Sequence, residues 1–172
     1  LEREAENLHR NNIRLVTIGQ TDRFPKLIRE SLNRVIRLTQ DNGGLELCLA
    51  LSYSGRWDIT EAVRAIAEEV RSGRLDPSQI DDQCISQHLS TADKPDPELV
   101  VRTSGEFRVS NFLLWQLAYS EIYVTDIFWP DFRRNELYKA IESFQKRDRR
   151  FGKIKDRYTK GLGSAVIRRL IS

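Results

Sequence analysis

Two arginines, a serine and two glutamates lie close enough in this sequence to do diphosphate chemistry. Arg102, Arg108 and Ser110 fall within RTSGEFRVS, with Glu106 among them and Glu121 shortly downstream. A guanidinium is planar and permanently charged, and it grips phosphate oxygens in pairs where an ammonium acts as a point charge. A carboxylate beside a diphosphate is repelled unless a cation stands between them. Mg²⁺ held by one or two carboxylates plus substrate phosphates is the usual arrangement. The alternative is that Glu106 and Glu121 pair with Arg102 and Arg108 as structural ion pairs. Spacing supports both readings, because ion-pair networks perturb and cluster charges as active sites do.

These residues need elements to hold them. Leu99-Val100-Val101 reads as a short buried strand that delivers Arg102 at its end. The loop that follows is polar, and residues 111–119 read as an apolar helix with Ser110 at its N-cap. Such a start exposes N–H donors and partial positive charge, so strand, arginine loop and capped helix together suit a phosphate-bearing ligand. A second apolar run follows over 122–129.

Upstream, the chain opens on the end of a helix, then a strand over 13–18 that Gly19 stops. Phe24-Pro25 leads into a helix through Thr39, with Ile28, Leu32, Val35, Ile36 and Thr39 on one face. Turn chemistry at 41–44 precedes an apolar strand over 45–51, the pattern of a buried parallel strand. The next stretch is SYSGRWD, residues 52–58. Its small residues allow close approach of a ligand, Arg56 offers a phosphate donor and Trp57 a large apolar face. Asp58 with Glu61 has the form of a capping box for a helix through Val70, whose core stripe is Val63, Ile66, Ala67 and Val70. Asp58 is therefore expected to be a cap and not a catalytic acid. Asp76-Pro77 starts a further helix ending near His88, and residues 135–146 form an amphipathic helix with Leu137, Tyr138, Ile141 and Phe144 inward. Strands alternating with helices predict an α/β single domain, a mainly parallel central sheet flanked by helices.

The chain has 172 residues, 40% hydrophobic and 31% charged, enough for one domain with a sizeable core. No apolar run is long enough to cross a bilayer. Cys48 and Cys84 are the only cysteines, His9 and His88 the only histidines, and neither pair has metal-site spacing. A cytoplasmic setting is expected. From Lys146 onward ten Lys or Arg face two Asp, so the tail carries +8 and the rest −5 of the net +3. A basic tail can bind anionic headgroups, diphosphates or nucleic acid, or be a solvated surface. There is no methionine, so the chain is expected not to be a complete translation product.

The signature stretch resembles that of the cis-prenyltransferase family, most closely its bacterial undecaprenyl diphosphate synthase type. The likeness is carried by Arg102-Thr103-Ser104-Gly105-Glu106, Arg108-Val109-Ser110-Asn111-Phe112, Leu114-Trp115-Gln116, Ala118-Tyr119, Glu121 and Trp129-Pro130-Asp131-Phe132, and it extends roughly from Asn7 to Gly152. It implies a cis-prenyltransferase-like domain over 1–152, with a basic tail over 153–172. It also implies condensation of isopentenyl diphosphate onto an allylic diphosphate, farnesyl diphosphate, to make undecaprenyl diphosphate. By the same resemblance Arg102, Arg108, Ser110 and Glu106 would bind substrate, Glu121 would help with Mg²⁺, and Trp57 would lie beside the substrates. Arg150 and Gly152 fit an Arg-x-Gly element that reaches the partner subunit in a homodimer.

The family's aspartate-bearing N-terminal motif has no counterpart here. No catalytic residue is therefore assigned, and this polypeptide alone is expected to lack polymerising activity. Leu45 and Leu47 are candidates for a product tunnel or for plain core. Contact with the inner membrane face is expected only through the product or the basic tail, and no nucleic-acid partner is expected. Two other readings stand: a non-catalytic partner subunit, and an unrelated α/β phosphate-binding module. The second lacks a Walker loop and a dinucleotide fingerprint.

Overall fold

A computed structural model describes residues 2–146; Arg150, Gly152 and the basic tail lie outside the described residues. The chain divides between Trp129 and Pro130 into two compact units.

The first unit alternates helix and strand. Helix α1 (Glu2–Arg10) leads to β1 (Arg14–Ile18), α2 (Lys26–Thr39), β2 (Glu46–Ala50), α3 (Gly55–Arg71), α4 (Asp82–His88), β3 (Leu99–Arg102) and β4 (Glu121–Val124). Pairing is parallel, as the α/β pattern predicts. In place of one continuous sheet, the described strands form two ladders: β1 with β2, and β3 with β4.

The core is built where α2 lies on β1. Leu15, Leu32 and Val35 are fully or nearly buried, with Ala5, Leu8, Ile36, Leu49 and Leu51 packed around them. Each such aliphatic side chain contributes about 1.5–3 kcal/mol on burial. Thr39 finishes the inner face of α2 and is completely buried. Its hydroxyl accepts from the Leu15 N–H at 3.1 Å and donates to the Val35 carbonyl at 3.0 Å, which ties the helix end to the strand. Ile28, expected on this face, lies in the first turn beyond the reach of the core and is half exposed.

Three expectations about helices are corrected. The inner positions of α3 are Ala62 and Ile66, while Val63 and Ala67 face outward. The helix expected from Asp76 breaks into a 3-10 turn, Pro77–Gln79, and the separate α4. Asp76 caps the turn in a capping box with Gln79, and Asp81 caps α4 through the Cys84 N–H. His88 ends α4 with Nδ1 2.8 Å from the Cys84 carbonyl and Nε2 3.4 Å from Glu69. In the second unit, α5 (Arg134–Gln145) buries Ala140, not the predicted Leu137, Tyr138 and Ile141.

The lower ends of β1 and β2 are clamped electrostatically. Arg14 and Glu46 are register partners and form an ion pair, and Lys94 from the α4–β3 loop reaches the same Glu46 at 2.8 Å. The hydrogen bond from Lys94 holds the Glu46 carboxyl below its ordinary range. Leu45 and Leu47 are exposed at 66% and 37%, so neither is core in the described chain.

Candidate functional site

The arginine loop leaves β3 at Arg102 and returns to β4, and the parallel ladder fixes both ends. The Thr125 N–H donates to the Arg102 carbonyl at 2.9 Å, the Gly105 N–H to Thr125 at 2.9 Å, and the Ser104 N–H to Ile127 at 3.0 Å. Between these anchors the backbone is contorted. Ser104, Gly105, Ser110, Asn111 and Leu113 all have positive φ, between 43° and 66°.

That geometry removes the helix expected over 111–119. A right-handed helix cannot run through left-handed residues, and only a 3-10 turn, Gln116–Tyr119, remains. Ser110 at φ 50° is consequently no N-cap, and a helix start contributes no donors behind it. The polar groups at this strand end are side chains and loop amides.

Arg102 and Ser110 do come together. The Arg102 Nη2 points to the Ser110 Oγ at 3.5 Å, and its Nε is buried with no hydrogen-bond partner among the described residues. A buried guanidinium N–H without an acceptor is costly, and an incoming anionic oxygen would satisfy it. Arg108 behaves differently. It forms a two-pronged pair with Glu106, Nε to Oε2 at 2.8 Å and Nη2 to Oε1 at 2.9 Å, and remains 74% exposed. The ion-pair alternative thus describes Arg108 and Glu106, while Arg102 keeps donor capacity for a ligand.

Glu121 is not part of this cluster. It pairs in register with Leu99, three residues before Arg102, and the alternation of side chains along a strand turns the two to opposite faces. Among the described residues no group of three or more His, Cys, Asp or Glu could hold a metal ion.

Trp57 lies in the first turn of α3 and is half-buried. The Tyr53 ring bridges it to the arginine loop, edge-on to Trp57 at 6.2 Å and to Phe112 at 5.9 Å between centroids. Tyr53 in turn donates to Asp58, the residue that sequence reasoning misjudged. The cap of α3 is Ser54, whose hydroxyl accepts from the Trp57 N–H. Asp58 lies four residues after that cap, inside the helix, and is 2% exposed. Its carboxylate accepts from the Tyr53 hydroxyl at 2.9 Å, the Ser90 N–H at 2.9 Å, the Ser90 hydroxyl at 2.6 Å and the Gln116 amide at 3.4 Å. Burial and this bond to Asp58 push the Tyr53 hydroxyl far above its ordinary pKa. Gln116 also donates to Thr91 at 2.8 Å, and the Trp115 indole to Ser86 at 2.9 Å. One buried acid thus joins the β2–α3 turn, the loop after α4 and the far side of the arginine loop. The available signal was a carboxylate inside an otherwise apolar helix face, beside a tyrosine five residues earlier.

Fold and site define a class: a parallel α/β protein with an arginine and a serine brought together at the end of a strand. Comparison narrows it. Residues 1–152 match the family model described as "Putative undecaprenyl diphosphate synthase", and the chain belongs to that family. An isoprenyl transferase of Chlorobaculum tepidum is 56% identical over 153 residues, covering 89% of this chain and 58% of the relative. The farnesyl-diphosphate-specific ditrans,polycis-undecaprenyl-diphosphate synthase of Escherichia coli K12 is 47% identical over 152 residues, covering 88% of this chain and 60% of the relative. Among solved structures, lavandulyl diphosphate synthase from Lavandula x intermedia, in complex with dimethylallyl diphosphate, superposes with a TM-score of 0.81 at 37% identity. That match covers 88% of this chain and 70% of the other. The chain spans about three-fifths of the length of the curated relatives it matches.

Proposed function

We propose that this chain supplies the isopentenyl diphosphate site of a cis-prenyltransferase of the undecaprenyl diphosphate synthase type. The reaction joins isopentenyl diphosphate to an allylic diphosphate, farnesyl diphosphate in the first round: a carbon–carbon bond forms, the allylic diphosphate is expelled, and a proton is lost from the isopentenyl unit to leave each new double bond in cis. Repetition yields undecaprenyl diphosphate. The observation that carries the reading is Arg102: its Nε is buried without an acceptor among the described residues, and its Nη2 is directed at Ser110 in a family whose relatives act on prenyl diphosphates. Arg102 and Ser110 hold the diphosphate, and Arg108 joins them by exchanging Glu106 for phosphate oxygens. Trp57 closes the apolar side.

Mg²⁺ is the proposed cation, and it neutralises charge on the diphosphate groups when bound. Phosphate oxygens would supply most of its ligands. Glu121 is the carboxylate assigned to it, and the register places that residue away from Arg102, so the two would meet different parts of the bound substrates. A homodimer in which Arg150 and Gly152 serve the partner's site, a family domain over 1–152 with a basic tail, and a cytoplasmic enzyme that meets the membrane through its lipid product belong to the same reading. Among the described residues no helix is long and apolar enough to cross a membrane.

Isothermal titration of isopentenyl diphosphate into the chain tests the reading. Binding is expected, and Arg102→Ala should weaken it roughly 10- to 100-fold, the worth of one or two charge-assisted hydrogen bonds. Equal affinity of the two proteins would refute it.

A further inference from the structure

The arginine loop supplies acceptors to the leading amides of a helix far away in sequence. Helix α3 starts at Gly55, and its first amides have no acceptors of their own. The Gly55 N–H donates to the Asn111 carbonyl at 2.7 Å, and the Arg56 N–H donates to the Asn111 Oδ1 at 3.0 Å. Asn111 can do both because it sits at φ 59°, a left-handed conformation that asparagine tolerates better than most residues. The approach is close: a Cβ on Gly55 would lie 2.8 Å from both the Leu114 backbone nitrogen and its Cγ. The Tyr53–Phe112 ring contact stitches the same seam. The residue immediately before Asn111 is Ser110, whose hydroxyl faces Arg102.

We infer that Asn111 is a positioning residue for the diphosphate cradle, which fixes the left-handed turn at Ser110 by capping α3 and so aims the Ser110 hydroxyl beside Arg102. This inference rests on the diphosphate reading above. Asn111 does not touch the diphosphate in this role; it acts through Ser110. The arrangement also occupies the leading amides of α3, so that helix start is a structural joint and not an anion site.

The test is a double-mutant cycle in the full chain with Asn111→Gly, Ser110→Ala and the double variant, read by calorimetric titration of isopentenyl diphosphate and of inorganic pyrophosphate. Glycine keeps the left-handed turn and removes only the capping amide. Asn111→Gly should weaken binding about fivefold, the worth of one neutral hydrogen bond, while far-UV circular dichroism is retained and amide exchange at Arg56 quickens. With the Ser110 hydroxyl already removed, the same change should cost less than about twofold, because coupled residues are non-additive. The inference is overturned if Asn111→Gly binds like wild type, if its cost is the same in both backgrounds, or if Arg56 exchange is unmoved. Wild-type chain that binds neither probe would sink the diphosphate reading and this inference together. Binding lost in Arg102→Ala but untouched in Asn111→Gly would sink the inference alone.

Discussion

Asp58 is the most consequential single residue of the first unit, and replacing it gives the sharpest test of how the site is held. The carboxylate is 2% exposed and accepts four hydrogen bonds, two of them from Ser90. In Asp58→Ala the Ser90 N–H, a backbone donor in a part-buried setting, loses its acceptor, at a cost of about 1–3 kcal/mol. The Tyr53 hydroxyl and the Gln116 amide lose theirs too, although Gln116 keeps Thr91. The bonds being lost are charge-assisted, worth about 1.5–3 kcal/mol each against water. Offsetting this, the variant no longer buries a charge. The balance is a loss of about 3–5 kcal/mol. Asparagine retains one acceptor oxygen, which can stay on Ser90, and a hydroxyl such as that of Tyr53 can turn to accept from the new NH₂ group. The Gln116 amide then faces another donor. Asp58→Asn should therefore cost about 2–3 kcal/mol, and Tyr53→Phe about 1.5 kcal/mol, the low end for one charge-assisted bond, since Asp58 keeps its other donors.

Urea unfolding followed by tryptophan fluorescence measures all three variants, with stability read from the midpoint at constant slope. The expected order of loss is Asp58→Ala, then Asp58→Asn, then Tyr53→Phe. An Asp58→Asn protein within about 0.5 kcal/mol of wild type would refute the reasoning, since surface changes of no structural consequence fall in that range. So would an Asp58→Ala protein no weaker than Tyr53→Phe, because the acid would then be holding only the tyrosine.

Two further outcomes follow from geometry. Gly55→Ala puts a methyl 2.8 Å from the Leu114 backbone nitrogen and should cost about 1–3 kcal/mol by overpacking. Gly43→Ala, where nothing lies within 4 Å, should change stability by less than about 0.5 kcal/mol in the same melts. Glu46→Gln should destabilise the protein near neutral pH by about 1 kcal/mol, a figure reduced for the partial exposure of the pair. Because the folded-state pKa of Glu46 lies below the ordinary carboxylate value, the stabilisation is present above that ordinary value and is lost as pH falls through the folded pKa. Melts of the two proteins should accordingly converge once the pH has fallen through the lowered folded pKa, and a gap that persists in stronger acid would contradict the assignment.

What the sequence made legible, and what it did not, divides along a physical line. Periodicity and turn chemistry located β1, α2 and β2 to within a residue or two, since a buried stripe such as Leu32, Val35 and Thr39 is a local signal. The arginines were legible as well, because Arg102 and Ser110 meet across only eight residues. The errors fall where a distant segment decides the local backbone. An apolar run over 111–119 favours helix by composition, yet Asn111 is held left-handed by the amides of Gly55 and Arg56, and that donor pair is invisible at the position it controls. Asp58 looked like a cap because the local pattern fits one; its true partners, Ser90 and Gln116, lie 32 and 58 residues away. In both cases packing against α3 overrides a sound local preference, and the overridden residues, Asn111 and Asp58, adjoin Ser110 and Trp57. A cradle of the kind proposed must fix its donors more tightly than loop preferences can, so the places where local reasoning fails mark the contacts that would build it.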